Sequence, residues 1–200
     1  MRVIGLTGGI ACGKSTISAA LREMGAAVID GDVLSRELTA PGGPALPAIR
    51  ARFGDAVFLP DGALDRRALG AVVFGSDEAR ARLDAIMQPM LRQMIVDRME
   101  AARLSGAPLC VLDMPLLYEA ELDGLCDRVW CAWIPRELQL ERLMARDGFT
   151  LEEAEARLRS QLPVDEKAAR ADVVIDTSGT IQYTRDKLPS LFDEELRRST

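Results

Sequence analysis

The sequence predicts an α/β fold, a five-stranded parallel sheet flanked by helices, and three observations carry that reading. Five short apolar runs stand out, at 2–6, 27–30, 109–113, 128–134 and 172–176, and most are apolar on both faces, as strands covered by helices on both sides are. Helical patterns separate them, so strand and helix alternate along the chain. Finally, 200 residues of which 48% are hydrophobic and 28% charged are enough for one substantial core and lack the polar bias of a disordered chain.

Taken in order, the first strand runs into Gly8-Gly9-Ile10-Ala11-Cys12-Gly13-Lys14-Ser15. A helix follows over 14–24, with Ile17, Leu21 and Met24 at helical spacing and Gly25 ending it. The second strand leads into Ile29-Asp30-Gly31-Asp32. Between the second and third strands a long insertion opens on Pro41-Gly42-Gly43-Pro44, which reads as a turn. It closes with a helix carrying Leu83, Ile86, Met87, Met90, Leu91, Met94 and Ile95 on one side; that stripe reads as core packing, and Pro89 as a kink or break. The third strand ends on Asp113. After the fourth, an arginine-rich helical insertion occupies 135–167, and Thr150-Leu151-Glu152-Glu153 matches a capping box that should start a helix. The fifth strand completes the sheet.

The spacing G-x-x-x-x-G-K-S directly after a strand and directly before a helix is the pattern of a P-loop, which makes the expected fold one of the P-loop NTPase type. Glycines let successive backbone N–H groups turn inward around phosphate oxygens, and the helix N-terminus adds its partial positive charge. Gly8, Gly9, Ile10, Ala11, Cys12, Gly13, Lys14, Ser15 and Thr16 are therefore the expected ATP-binding residues. Lys14 is assigned to the β- and γ-phosphates, the Ser15 hydroxyl to Mg²⁺, and Thr16 to the α-phosphate end. Asp113, closing an apolar strand, has the position of a Walker B carboxylate and is the second expected Mg²⁺ ligand.

The chain contains no histidine and no asparagine. Without histidine, proton transfer falls to other side chains, and Asp32, at the carboxyl edge of the sheet where open α/β folds bind ligands, is the expected base for an acceptor hydroxyl. Asp30 is an alternative, and either aspartate could instead cap a helix. Without asparagine there is no Asn-Lys-x-Asp segment of the kind that reads guanine. Arg142 and Arg146 are four apart on the second insertion, so they share a helix face and can converge on a transferring phosphoryl group when a lid closes, although surface ion pairing would explain them as well. Cys12 sits beside Lys14 at a helix N-terminus, two features that favour a reactive thiolate; the alternative is an inert, serine-like replacement.

A net charge of −6 with no basic block excludes the footprint of a general nucleic-acid binder, and no apolar run is long enough for a membrane span or a signal-peptide core. Four cysteines without C-x-x-C spacing read as free thiols in a reducing compartment. The expectation is a cytoplasmic enzyme acting on small molecules, with neither nucleic acid nor membrane as partner.

With these residues in view, the chain resembles the dephospho-coenzyme A kinase family nearly from end to end. The resemblance is carried by Ile4-Gly5-Leu6-Thr7-Gly8-Gly9-Ile10 with Gly13-Lys14-Ser15-Thr16, Ile29-Asp30-Gly31-Asp32 with Arg36, and Asp61-Gly62-Ala63-Leu64-Asp65-Arg66 with Leu69 and Phe74. It continues through Asp113-Met114-Pro115-Leu116-Leu117-Tyr118-Glu119, the run from Gln139 to Asp147, Gln161, and Ala171-Asp172-Val173-Val174-Ile175-Asp176.

The resemblance implies a single kinase domain that phosphorylates the ribose 3′-hydroxyl of dephospho-CoA from ATP with Mg²⁺, as a monomer or weak homo-oligomer. Its P-loop core would comprise 1–36, 105–134 and 168–200, its substrate-binding helical insertion about 37–104, with the CoA side from about 61 onward, and its lid about 135–167. Asp32 would be the catalytic base beside Lys14, Arg142 and Arg146, and Asp32, Arg36, Asp65, Arg66, Asp113 and Leu116 would bind substrate. Three positions depart from the usual family pattern: Gln88-Pro89 where His-Pro is common, Ala11-Cys12 where Gly-Ser is common, and Thr177 where Asn is usual. Another small-molecule or nucleoside monophosphate kinase, or a regulatory P-loop NTPase, would share the phosphate loop.

Overall fold

In a computed structural model, residues 1–198 are described; the last two positions of the core segment expected over 168–200 lie outside the described residues. The elements are β1 (Arg2–Gly8), α1 (Lys14–Glu23), β2 (Ala27–Asp30), α2 (Gly31–Leu38), α3 (Leu46–Phe53), α4 (Arg66–Phe74), α5 (Asp77–Leu104), β3 (Leu109–Asp113), β4 (Arg128–Trp133), α6 (Arg136–Asp147), α7 (Leu151–Arg159), α8 (Val164–Arg170), β5 (Val173–Asp176) and α9 (Ile181–Arg198). The chain divides into two compact units, Met1–Ile29 with the segment from Met99 onward, and Asp30–Arg98.

The first unit is built on a parallel sheet in the order β2-β3-β1-β4-β5. Every residue of β3 and all but the first of β1 are buried, which is why both read as unbroken apolar runs rather than alternating ones. α1 and α9 pack on one another, and α8 packs on β1 and β4. One apolar cluster joins Ile4 and Leu6 of β1, Ile17 and Leu21 of α1, Trp130 of β4 and Leu188 of α9. At the other end of the strands, the buried Glu195 of α9 accepts from Arg2 Nε at 3.1 Å and from Arg128 Nη1 at 2.9 Å, clamping the helix to the starts of β1 and β4.

Strand boundaries differ from the sequence reading by one or two residues, each for a local reason. β1 runs on to Gly8, which pairs with Ala132; a Cβ on Gly8 would meet Ala132 O at 2.7 Å, so only glycine carries the strand that far. β4 stops at Trp133 because Pro135 has no N–H to give to a ladder. β5 begins after Asp172, whose carboxylate accepts from Val129 N at 2.7 Å and so brackets the strand instead of joining it. Asp127 does the same before β4, accepting from Val3 N at 2.7 Å.

In the second unit, of the kink or break expected at Pro89, the break does not occur, for α5 continues from Asp77 to Leu104 with Pro89 inside. Proline deletes one helical hydrogen bond, and the flanking Met87, Gln88, Met90 and Leu91 are strong helix formers. The apolar stripe is also less buried than expected. Leu91 and Ile95 are in the core, whereas Leu83, Ile86, Met87, Met90 and Met94 are half-buried. An open trough of about 720 Å³ lies along Ala48 and Ala51 of α3 and Ala81, Ala85 and Ile86 of α5. Among the described residues, no helix is long and apolar enough to cross a membrane.

Candidate phosphate-binding site

The loop between β1 and α1 is shaped by contacts that reach it from distant parts of the first unit. Gly13 has φ +72° as the residue capping α1, a left-handed conformation that glycine adopts freely. Gly9 lies so close to Gln139 Nε2 that a Cβ there would collide with it. Lys14 opens α1, Ser15 beside it is exposed, and Thr16 N–H bonds back to Gly13 O at 3.0 Å. Asp113, at the end of β3 and buried, receives the Lys14 ammonium, so the two residues expected to serve phosphate and metal are side by side.

Two buried side chains that the sequence reading did not single out for a role hold the back of the loop. Gln139 of α6 donates Nε2–H to Ile10 O at 2.7 Å, and Thr177, directly after β5, donates its hydroxyl to Cys12 O at 2.7 Å. Thr177 is fixed in turn, its N–H on Trp133 O at 3.0 Å and its carbonyl receiving Arg142 Nη2 at 3.1 Å. The sequence signals were the place of Gln139 in the run that carries the family resemblance and the family's preference for Asn where Thr177 stands.

The segment after Asp113 is anchored as firmly. Met114 N–H donates to Leu6 O at 3.0 Å, and Pro115 O accepts both the Thr7 hydroxyl at 3.0 Å and Lys167 Nζ at 2.7 Å. Lys167, wholly buried, also pairs with Glu119 Oε1 at 2.7 Å, and that oxygen accepts Leu162 N–H at 2.9 Å. Leu116, in the same segment, is exposed. Thus α8, at the end of the stretch expected as a lid, is packed into the core.

The structure separates the two arginines of α6. Arg142 faces the carbonyls of Thr177 and Ser178, at 3.1 and 3.2 Å, while Arg146 makes a two-pronged pair with the neighbouring Asp147 and is more than half exposed. Beside Gly9, a cleft of about 250 Å³ is lined instead by Arg136, Gln139, Arg159, Gln161 and Val164. Glu155 holds Arg136 and Arg159 together, at 3.6 and 3.2 Å. Neither arginine was singled out from the sequence, because each looked like one of many surface arginines.

In the second unit, Asp30 accepts Val33 N–H at 3.0 Å and caps α2, which resolves the choice between the two aspartates as regards capping. Asp32 stands in the first turn of α2, exposed, with the exposed Arg36 one turn on along the same face. Asp65 caps α4 by accepting the N–H groups of Arg67 and Ala68, at 3.0 and 2.9 Å. Arg66 Nη2 donates to the Thr39 hydroxyl at 2.7 Å, tying the start of α4 to the end of α2 close to Arg36.

Of the two readings of Cys12, burial favours the inert one. The residue is 1% exposed, and desolvation pushes its thiol up to about 11 against smaller opposing effects from the Gly9 and Ile134 backbone, Arg142 and Lys167. The side chain lies in the core beneath the loop rather than in the field the loop offers a ligand.

The sheet, the glycine-shaped loop at the N-terminus of α1, and Lys14 set against the carboxylate that ends β3 define a P-loop kinase. The dephospho-CoA kinase family model matches residues 2–183. A dephospho-CoA kinase of Anaeromyxobacter dehalogenans is 57% identical over 194 residues, 96% of this chain and 91% of that protein. Among solved structures, the dephospho-CoA kinase from Campylobacter jejuni is 28% identical with a TM-score of 0.74 over 99% of this chain and 98% of its own. TT1252 from Thermus thermophilus is 36% identical with a TM-score of 0.81, covering 96% and 97%. The chain belongs to the dephospho-CoA kinase family.

Proposed function

We propose that this protein transfers the γ-phosphoryl group of ATP to the ribose 3′-hydroxyl of dephospho-CoA, giving CoA and ADP, the last step of coenzyme A biosynthesis. The observation that carries this reading is the braced phosphate loop joined to Lys14 and Asp113, in a chain of this family. The loop residues Gly8 to Thr16 hold the ATP phosphates through backbone N–H groups, and Lys14 turns from Asp113 to the β/γ-phosphates. Asp32 accepts the proton of the 3′-hydroxyl as that oxygen bonds to the γ-phosphorus, and the bond from phosphorus to the bridging oxygen breaks to release ADP. Arg36, Asp65, Arg66, Asp113 and Leu116 bind the acceptor, Asp65 by fixing the N-terminus of α4 as well. Arg142 and Arg146 oppose the charge of the transferring group.

The donor set near Lys14 fits Mg²⁺. Ser15 offers an exposed hydroxyl and Asp113 a carboxylate, both hard oxygen donors, and among the described residues no group of three or more Cys, Asp or Glu side chains gathers to enclose a metal. Such a sparse set suits an ion that keeps waters and completes its shell with phosphate oxygens. Bound there, Mg²⁺ would neutralise charge on the β- and γ-phosphates.

Four free thiols support a cytoplasmic setting. We also infer a monomer or weak homo-oligomer with no nucleic-acid partner. The deciding experiment couples ADP release to a dye reaction with purified protein, Mg-ATP and a panel of acceptors. Release that depends on dephospho-CoA and stops on adding EDTA is expected. Release with nucleoside monophosphates instead would reassign the acceptor, and release independent of any acceptor would indicate a regulatory NTPase.

A further inference from the structure

Ala11 occupies a backbone position that suits glycine. Cys12 N–H donates to Gly9 O at 3.2 Å, closing a four-residue turn whose third residue, Ala11, has φ +62°. Ala11 and Glu121 are the non-glycine residues with positive φ among the described residues, so Ile10 has negative φ, and a positive φ at the third position is the feature for which such turns favour glycine. An L-residue there gives up roughly tenfold in equilibrium constant relative to glycine. Something outside the turn must make up that deficit.

We propose that Gln139 and Thr177 are positioning residues that hold this strained turn and thereby aim two of the loop's N–H donors. This rests on the reading that the loop binds ATP phosphates. A trans peptide is planar, with its C=O and N–H pointing in opposite directions. Gln139 Nε2 pins the carbonyl of the Ile10–Ala11 peptide, which turns Ala11 N–H away from α6. The Thr177 hydroxyl pins the carbonyl of the Cys12–Gly13 peptide, which turns Gly13 N–H away from the end of β5. The Ile10–Ala11 peptide adjoins Ala11 directly, and the Cys12–Gly13 peptide lies one residue beyond the Ala11–Cys12 peptide whose N–H closes the turn on Gly9 O, so the two pins lie on either side of the left-handed Ala11.

Both braces are themselves rigid. Gln139 and Thr177 are 2% and 4% exposed, so water cannot replace either bond cheaply. Thr177 Oγ1 is also 3.4 Å from Trp133 O, but its single proton goes to the nearer Cys12 O at 2.7 Å. Arg142 contributes by holding the Thr177 carbonyl, so a residue of the arginine-rich insertion acts on the phosphate loop through the segment after β5.

The test compares Thr177→Val, Thr177→Ser and Gln139→Met, each with Ala11 and with Ala11→Gly. Thr177→Val and Gln139→Met should raise the Mg-ATP Kd about tenfold with Ala11 in place, leaving the dephospho-CoA KM unmoved, while Thr177→Ser keeps the wild-type value. With Ala11→Gly the same substitutions should raise Kd by less than about threefold, because glycine takes the turn without help. Equal losses in both backgrounds would overturn the proposal, since the braces would then act by general stability. A second reading does not depend on activity: in labelled protein the Ala11 ¹³Cβ shift should leave the left-handed range in Thr177→Val or Gln139→Met, and an unchanged shift would also overturn it. If wild-type protein fails to bind Mg-ATP, the functional reading fails, and the ¹³Cβ shift still decides whether the brace exists.

Discussion

Single residues in this protein owe their chemistry to burial and to hydrogen bonds more than to their neighbours in sequence. Cys12 follows this rule most plainly. With its thiol pushed up to about 11, about one molecule in a thousand carries a thiolate at pH 8. Iodoacetamide at pH 8 should therefore leave Cys12 unmodified in the native protein and label it quickly in urea. Ionisation of the folded protein should begin only as pH climbs toward 11, and mass mapping of native protein with Cys12 labelled first would contradict the assignment. Asp32 is the opposite case, an exposed carboxylate in the first turn of α2, with capping done by Asp30. Asp32→Asn should lower kcat by roughly 10²- to 10⁴-fold, the usual worth of a positioned general base, with Mg-ATP affinity nearly unchanged. Turnover close to wild type would remove Asp32 from the mechanism.

At the scale of elements, short helices depend on their ends and on what they are tied to. α7 is only nine residues long and starts with a reciprocal capping box, Thr150 Oγ1 accepting Glu153 N–H at 3.3 Å and Glu153 Oε2 accepting Thr150 N–H at 2.9 Å. Removing the hydroxyl with Thr150→Ala should cost about 1 kcal/mol locally, seen as roughly fivefold faster amide exchange in α7 with little change elsewhere. Hydrogen bonds from Thr150 also hold the Glu153 carboxyl below its ordinary value, so what the box contributes is present at neutral pH and is lost as pH falls through that lowered value. The tie between α8 and the segment after β3 is stronger, because Lys167 is wholly buried on Glu119 and Pro115 O. Lys167→Met leaves Glu119 without its cation and should destabilise the protein by about 3 kcal/mol in urea melts. Adding Glu119→Gln should recover part of that loss; purely additive losses would show that the pair is not the source.

For the whole molecule, the proposed ligand binding and folding are linked, since the loop proposed to bind phosphate exists only in the folded chain. Mg-ATP at about a hundred times its Kd should stabilise by about 2.7 kcal/mol. In a chain of this length that should raise the melting midpoint by about 5–10 °C. Lys14→Ala should abolish most of the rise, because the ammonium is the loop's only full positive charge. A midpoint indifferent to Mg-ATP would argue against the phosphate site itself.

The sheet, the phosphate loop, the capping box of α7 and the family were legible in the sequence because each depends on spacing along the chain. Buried strands read as unbroken apolar runs, and G-x-x-x-x-G-K-S works through a turn and a helix end that contiguous residues build. What the tertiary structure alone decided involves residues far apart. It set Gln139 and Thr177 behind Ile10 and Cys12, buried Lys167 on Glu119, gathered Arg136 and Arg159 on Glu155, and sank Cys12 into the core. Pro89 belongs with these, since whether a proline ends a helix depends on the strength of its flanks as well as on its missing N–H. The physical reason is common to all of them: desolvation and side-chain hydrogen bonding depend on which distant groups share a buried volume, and local spacing carries no record of that.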